Sequence, residues 1–238
     1  NPNMEYTTRP DSGNRLVIAI DCDEVIVETV GPILRHYNKQ YGADLPAPLE
    51  PKHYYNGTPY DWGVANDPQE GARRVEAYTQ SDEFAALAPE ETAVAAIRRL
   101  AAQHDPHRYW PGEDQLAAIT QQMVDTYLPG CIDGIYYTSY FNEQQRQDKS
   151  VICERIGANV LIDDHAKHLN TILAMNDECP APAMRRIVHT ILFGDYPWQL
   201  CPDERDSRII SCPTWSAVER TIAQIAQGEG ITELDSTH

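Results

Sequence analysis

The chain has 238 residues, of which 42% are hydrophobic and 23% carry a charged side chain. A chain of this length buries about 70% of the surface that it exposes when unfolded, so it can form a substantial core. Its composition is ordinary for a soluble protein. The formal net charge of −17 argues against nucleic acid or an anionic membrane as a partner, because those surfaces attract a basic face.

The cysteines and the two ends of the chain favour a cytoplasmic protein with flexible tails. The six cysteines form no C-x-x-C pair and no zinc-binding spacing, which indicates reduced, structural thiols. We find no apolar run of 18 or more residues and no signal peptide, so we expect a cytoplasmic location. Residues 1–14 are mostly polar and contain prolines and a glycine, and we expect flexible tails there and over residues 227–238.

The first predicted element is a buried strand that ends in two carboxylates. Five apolar residues from Leu16 to Ile20 follow one another without polar alternation, which is typical of a central parallel strand. Asp21 and Asp23 come next, and alternation places both on one side, where they can converge on a phosphoryl group or a divalent cation. Cys22, between them, is expected to face the core. Alternatively, one aspartate caps the following helix and the other is solvated.

Helices and aromatic loops are predicted next. Helical periodicity from Val30 to Tyr37 ends at Gly42, a credible stop. A second helix is predicted around residues 72–78 and a third from Ala93 to Ala102. Loops rich in aromatic residues separate the first helix from the second.

The second half of the chain alternates helices and strands. The predicted elements are a helix from Gln115 to Tyr127, a strand from Gly134 to Thr138, a helix from Lys149 to Ile156, a strand from Val160 to Asp163, a strand from Thr190 to Phe193 and a helix from Trp215 to Ala226. This alternation predicts an α/β, Rossmann-like parallel sheet of about five strands with helices on both faces.

The strand that starts at Val160 repeats the acidic ending of the first strand. It closes on Asp163 and Asp164. Four carboxylates brought together would repel one another and raise each other's pKa, so their convergence implies Mg²⁺, a cation that prefers oxygen ligands. Lys149 opens the preceding helix, where it is either part of the same site or an ordinary exposed lysine.

These motifs, in this order, resemble the haloacid dehalogenase-like superfamily over about residues 15–225. The set comprises D-x-D-x-V at 21–25, a lysine at 149 that opens a late helix, and I-D-D at 162–164. Within the superfamily the chain looks most similar to 5′-nucleotidase type C-like proteins and uncharacterised fungal relatives. The shared segments are Tyr-Gly at 41–42, Tyr54-Tyr55, Trp62-Gly63, Val160 to His165, Ile191 to Gly194 and Tyr196 to Trp198.

The resemblance implies a role for each residue of the motifs. Asp21 would be the nucleophile that becomes an aspartyl phosphate, and Asp23 the acid and base that protonates the leaving alcohol and activates water. Asp163 and Asp164 would hold Mg²⁺ together with Asp21 and the backbone carbonyl of Asp23. Lys149 would neutralise the oxygens of the nucleophile and the phosphate. An aspartate at position 23 favours phosphate esters, because an alkoxide leaving group needs a proton and a halide does not.

The resemblance also implies a core domain over residues 15–226 with a small helical cap inserted at 28–86, directly after the first strand. The cap would close over the site and contact the substrate. The candidate contact residues are His36, Asn38, His53, Tyr54, Tyr55, Tyr60 and Trp62, each of which could instead have a packing or surface role.

One expected motif is missing. The family has a strand V-x-V-T-[GSA]-R after the third helix, whose threonine hydroxyl and next backbone N–H hold a phosphoryl oxygen. Residues 105–113 stand there, and their two prolines predict a poor central strand, because each proline lacks a donor for the ladder. Three explanations stay open: the site is degraded, Thr138 and Ser139 replace the lost groups, or residues 106–113 are translated in the wrong reading frame.

The sequence therefore predicts a Mg²⁺-dependent phosphohydrolase that acts on a small phosphomonoester, for example a nucleotide, through an aspartyl phosphate. The alternative is a catalytically impaired relative that binds a phosphorylated ligand or protein. A phosphomutase or phosphotransferase would share the aspartate pair. Neither the substrate nor the oligomeric state can be inferred from the sequence.

Overall fold

A computed structural model describes residues 15–42, 68–110, 114–138, 148–178, 189–199 and 205–228. The strands are β1 (Val17–Ile20), β2 (Asp105–Trp110), β3 (Gly134–Tyr137), β4 (Val160–Asp163), β5 (His189–Phe193) and β6 (Ile210–Cys212). The α-helices are α1 (Val30–Tyr41), α2 (Pro68–Thr79), α3 (Asp82–Ala85), α4 (Glu91–Ala101), α5 (Asp114–Tyr127), α6 (Lys149–Ile156), α7 (Ala166–Glu178) and α8 (Trp215–Gln227), and a 3₁₀ helix spans Pro197–Gln199.

The strands form one parallel sheet in the order β3-β2-β1-β4-β5-β6. The predicted α/β, Rossmann-like class is confirmed, with six strands in place of about five. The short edge strand β6 and the helices α3 and α7 were not predicted. Because β1 and β4 are adjacent, their two acidic ends meet at the carboxyl edge of the sheet, where α/β folds place ligands.

Alternation along the strands separates the core into two layers. Ile18 and Ile20 of β1 pack on one face in a cluster with buried residues of α4 and α8, whereas Ala19 and Leu161 pack on the other with α6 and α7. Ile18, Ala19 and Ile20 are all fully buried, as the unbroken apolar run predicts. Cys22 is also fully buried, so the prediction that it faces the core is confirmed.

The prediction of a poor strand is wrong for residues 105–110, because Asp105–Trp110 forms β2 between β1 and β3. The rest of that segment, residues 111–113, lies outside the described residues. Pro106 lies opposite Ile18, and its carbonyl accepts from Asp133, on the β3 side. The proline nitrogen, which lacks an N–H, therefore also faces β3. Pairing between β2 and β3 starts one residue later, with His107 opposite Gly134, so no β3 residue is paired with Pro106. The proline thus removes no ladder hydrogen bond, as expected for a proline near the start of a strand.

Helices α1, α2 and α3 lie between β1 and α4 along the chain. The Arg74 guanidinium on α2 donates to the Tyr37 hydroxyl on α1 over 3.1 Å and lies 4.0 Å from the Tyr41 ring centre. The Tyr78 and Phe84 rings meet edge to face, 5.6 Å apart, and both belong to the core cluster of β1. These helices are therefore packed onto the sheet domain through a shared core.

In the described part of the chain, Cys131 and Cys212 carry free thiols. Over the described part of the chain, no helix is both long enough and apolar enough to cross a bilayer.

Candidate active site

Three buried carboxylates meet where β1 and β4 end. The Asp21 N–H donates to the Ile162 carbonyl over 2.9 Å, which holds the end of β1 against β4. Asp21 and Asp164 are each 6% exposed and Asp163 is fully buried. One oxygen from each of these three aspartates lies within 4.8 Å of the others. The two acidic strand ends therefore form one cluster of negative charge inside the protein.

Lys149 supplies a buried positive charge to this cluster. Its Nζ lies 2.5 Å from Asp163 Oδ2 and 3.0 Å from Asp21 Oδ2. Lys149 is the first residue of α6, a position where the helix dipole disfavours a cation. Burial alone would lower the pKa of Lys149, but Asp163 and Asp21 reverse this and raise it above its usual range. The lysine is thus charged and bonded to both carboxylates.

Asp163 is surrounded by donors. In addition to Lys149, the His165 backbone N–H donates to Asp163 Oδ1 over 2.9 Å, and His168 Nδ1 lies 3.1 Å from the same oxygen. Burial would raise the pKa of Asp163, but Lys149 and then His168 more than offset it and hold the pKa below its usual range. Asp163 is therefore ionised, and both of its oxygens are engaged by the protein.

Asp164 has the opposite environment, although it is the next residue. Its Oδ2 accepts a 3.0 Å hydrogen bond from the Trp198 indole N–H. Burial, followed by repulsion from Asp163 and Asp21, raises the pKa of Asp164 well above its usual range. Burial also raises the pKa of Asp21, although Lys149 opposes the shift. The protein therefore compensates the negative charge of Asp164 less well than that of Asp163.

A tight turn after Asp21 connects β1 to α1. The N–H groups of residues 25–27 all donate to the Cys22 carbonyl, and Glu24 adopts a left-handed φ of 58°. The Glu24 carboxylate accepts from the N–H groups of Thr29 and Val30 over 2.7 and 2.6 Å, so it caps the start of α1. Burial raises the pKa of Glu24, opposed by these N–H groups. The turn carries the half-buried Asp23 out of the sheet.

Known structures share this architecture. A haloacid dehalogenase-like family hydrolase from Streptococcus pneumoniae matches 87% of this chain and 98% of its own, with a TM-score of 0.58 and 11% identity. A hydrolase of the same superfamily from Deinococcus radiodurans, solved with phosphate and sodium, matches 92% of this chain and 100% of its own, with a TM-score of 0.58 and 15% identity. The chain has the haloacid dehalogenase-like fold. No family model and no curated protein matches the sequence.

Within this haloacid dehalogenase-like fold, Asp21, Lys149, Asp163 and Asp164 come together as the sequence predicts. Asp23 follows within the same turn but does not belong to the group of three close carboxylates. His36 lies on α1, where its Nδ1 is 2.8 Å from a Glu83 carboxylate oxygen of α3. The other candidates for substrate contact, His53, Tyr54, Tyr55, Tyr60 and Trp62, lie outside the described residues, and Asn38 is on α1.

The structure places Thr138 away from this cluster. Thr138 is buried directly after β3, and β2 lies between β3 and β1. With a strand spacing of about 4.8 Å, two steps across the sheet separate the end of β3 from the end of β1 by roughly 10 Å. Ser139 lies outside the described residues. The end of β2 is therefore nearer to Asp21 in the sheet than Thr138 is.

Four residues that contact the cluster were not predicted from the sequence. His165 and His168 follow Asp164 closely, and their spacing of three residues at the start of α7 was an available signal. Trp198 and Gln199 bind Asp164 from the loop after β5, some 34 and 35 residues away in sequence. No local pattern links these two residues to Asp164, because only the pairing of β4 with β5 brings their loops together.

The cluster has the properties of a site for a hard divalent cation. Three buried carboxylates offer oxygen ligands within reach of one another, which suits Mg²⁺. A single lysine faces them in the described part of the chain, and the pKa of Asp164 is raised first by burial and then by repulsion from Asp163 and Asp21. A bound cation would reduce this repulsion, so the residues fit Mg²⁺.

Proposed function

We propose that this protein is a Mg²⁺-dependent phosphohydrolase that acts on a small phosphomonoester, for example a nucleotide, through an aspartyl phosphate. The observation that carries the proposal is Asp21, a buried carboxylate at the carboxyl end of β1 with Lys149 on one side and Asp164 on the other. An acidic cluster with one lysine suits phosphoryl transfer, which depends on positioning and on neutralising charge.

Asp21 and Asp164 would hold the cation, with Asp163 beside them and the backbone carbonyl of Asp23 as a further ligand. When bound, Mg²⁺ would neutralise oxygens of the nucleophile and of the phosphoryl group. Lys149 would supply a second positive charge to the same nucleophile, since its Nζ lies 3.0 Å from Asp21 Oδ2.

The proposed reaction has two steps. A carboxylate oxygen of Asp21 forms a bond to phosphorus while the bond from phosphorus to the leaving oxygen breaks, and Asp23 donates a proton to that oxygen. Asp23 then takes a proton from water as the water oxygen attacks the aspartyl phosphate. Phosphate leaves and the Asp21 carboxylate is restored.

A second candidate function rests on the end of β2. The strand next to Asp21 finishes in Tyr109 and Trp110 and is followed by a proline, where the resemblance predicts a threonine that holds a phosphoryl oxygen. This favours a catalytically impaired relative that binds a phosphorylated ligand or protein. A translation of residues 106–113 in the wrong frame would explain the same difference, and sequencing the transcript tests it.

The deciding experiment is a phosphatase assay over a panel of phosphomonoesters that includes nucleoside monophosphates, with Mg²⁺ and with EDTA. We expect Mg²⁺-dependent release of phosphate, and a rate at least about a thousandfold lower for Asp21→Asn, which removes the nucleophile but keeps its shape. Hydrolysis by that variant near the parent rate would exclude a covalent role for Asp21. Binding without turnover by the parent would support the impaired relative.

The proposal includes a cytoplasmic protein with small phosphorylated substrates as its partners. The free thiols of Cys131 and Cys212 support a reducing compartment. The acidic composition supports the expectation that nucleic acid and membrane surfaces are not partners.

A further inference from the structure

The loop after β5, residues 194–199, touches both acidic strand ends. It begins at Gly194, whose φ of +83° favours glycine. A Cβ at this position would lie 2.3 Å from the Tyr196 ring. The glycine therefore allows Tyr196 to fold back over the start of the loop.

Two aromatic rings of this loop pack against each other. The rings of Tyr196 and Trp198 stack with their centres 4.5 Å apart and their planes 3° from parallel. Trp198 is 3% exposed and Gln199 is 4% exposed. Burial and stacking restrict the rotamers of Trp198, so its indole N–H has a defined direction.

Those polar atoms bind the two acidic loops. The Tyr196 hydroxyl donates to the Glu24 carbonyl over 2.5 Å, in the turn that follows Asp21. The Trp198 indole N–H donates to Asp164 Oδ2 over 3.0 Å. The Gln199 amide donates to the backbone carbonyls of Asp164 and Phe193 over 2.6 and 2.7 Å. The loop thus holds the backbone and the side chain of Asp164 at once.

We propose that Trp198 is the positioning residue of the metal site: it holds one oxygen of Asp164 so that the carboxylate keeps the orientation in which it binds the cation. The indole N–H is a donor only, and its bond to Asp164 becomes charge-assisted when the carboxylate is ionised on a cation. Without it, the carboxylate can rotate away from Asp21 and Asp163, which repel it. The inference rests on the proposed function, because it needs a cation at Asp164.

Trp215 provides a matched control. It is also buried, at 4% exposure, and its indole N–H donates to the Val25 backbone carbonyl over 3.3 Å, not to a carboxylate. Trp198→Phe and Trp215→Phe therefore remove the same atoms from equally buried positions. Loss of a tryptophan that only supports the fold would lower the melting temperature without metal in either variant. The metal-free melting temperature therefore does not distinguish a structural role from a role in positioning Asp164.

The test is the affinity for Mg²⁺ alone, measured from the Mg²⁺ dependence of the melting temperature in the parent and both variants. We expect Trp198→Phe to weaken Mg²⁺ binding about 10- to 100-fold, the range for groups that orient a metal ligand, and Trp215→Phe to bind as the parent does. Equal affinity in all three proteins would overturn the role of Trp198 while leaving the metal site intact. A parent without any Mg²⁺ response would overturn the metal site and this inference together.

A second measurement uses no variant at Trp198, in case that variant does not fold. The indole N–H resonances of the ¹⁵N-labelled parent report the hydrogen bond directly. We expect one indole peak to move on addition of Mg²⁺, and the same peak to move in Asp164→Asn but not in the exposed variant Lys167→Met. The proposal would be overturned if no indole peak changed its chemical shift on addition of Mg²⁺ or in Asp164→Asn.

Discussion

The two sides of the acidic cluster differ although they are built from adjacent, identical residues. On one side Asp163 bonds to Lys149 and His168, and its pKa lies below the usual range. On the other side Asp164 bonds to the neutral indole of Trp198, and its pKa lies well above the usual range. Burial penalises the charged form of both, so the difference comes from the partners.

This difference separates two uses of a buried carboxylate. Asp163 already has a cation from the protein, which makes it an anchor for Lys149. Asp164 has no such cationic partner among the described residues, so it is the carboxylate that a bound cation would stabilise most.

Replacing Lys149 by Met should have the largest effect, because it removes the cation from the Asp163 side. Breaking a buried pair on one side costs about 3–5 kcal/mol, and losing a charge that stabilises the reacting phosphate costs roughly 10²- to 10³-fold in rate. Urea unfolding and the phosphatase assay measure these two losses. Lys167→Met, at an exposed position on α7, is the control, and an equal loss there would refute a special role for Lys149.

Asparagine at the two adjacent positions should have opposite effects on metal-free stability. Asp163→Asn breaks the pair with Lys149 and should lower the free energy of unfolding by up to about 3 kcal/mol. Asp164→Asn removes a repelled charge and should leave stability unchanged or higher. It should also abolish the Mg²⁺-induced rise in melting temperature. Urea unfolding in EDTA decides the comparison, and an equal loss in both variants would contradict it.

The pH dependence should show the same contrast. The pKa of Asp164 is higher in the folded protein than in the unfolded chain, where it is near the ordinary value of 3.8. As pH rises above 3.8, the unfolded chain therefore loses this proton first, and the stability of the metal-free protein falls until the folded pKa is passed. Asp163, with a lowered pKa, contributes stability above 3.8 that is lost as pH falls.

Melting curves in EDTA from pH 4 upward test this sign in the parent and in Asp164→Asn. We expect a shallower decline in the variant. Mg²⁺ competes with the proton on Asp164, so its stabilisation of the parent should grow with pH. A Mg²⁺ effect that does not change with pH would contradict the raised pKa.

The smallest effect is expected for a surface ion pair. Arg208 donates to Asp177 and Asp206 over 2.7 and 2.6 Å, but its side chain is 45% exposed. Water and salt screen such pairs, so Arg208→Gln should cost at most about 1 kcal/mol, or about 2–4 °C in melting temperature. A loss as large as that of Lys149→Met would show that burial does not set the strength of these pairs.

Strand β2 shows where sequence reasoning fails on the fold. Pro106 argues against a central strand only if its nitrogen faces a paired neighbour. In the structure that nitrogen points to the β3 side before β3 begins. The stagger between β2 and β3 decides the outcome, and stagger is a property of the assembled sheet.

The sequence by itself determined the pieces of the site: two apolar strands that end in Asp21 and in Asp163 and Asp164, and a helix that opens on Lys149. Each piece is encoded within about ten neighbouring residues, where periodicity and strand ends are visible. Only the tertiary structure decided that Asp163 is ionised beside a lysine while Asp164 faces Trp198. Ionisation depends on burial and on charges brought from distant segments, so two adjacent aspartates cannot be distinguished until the sheet is assembled.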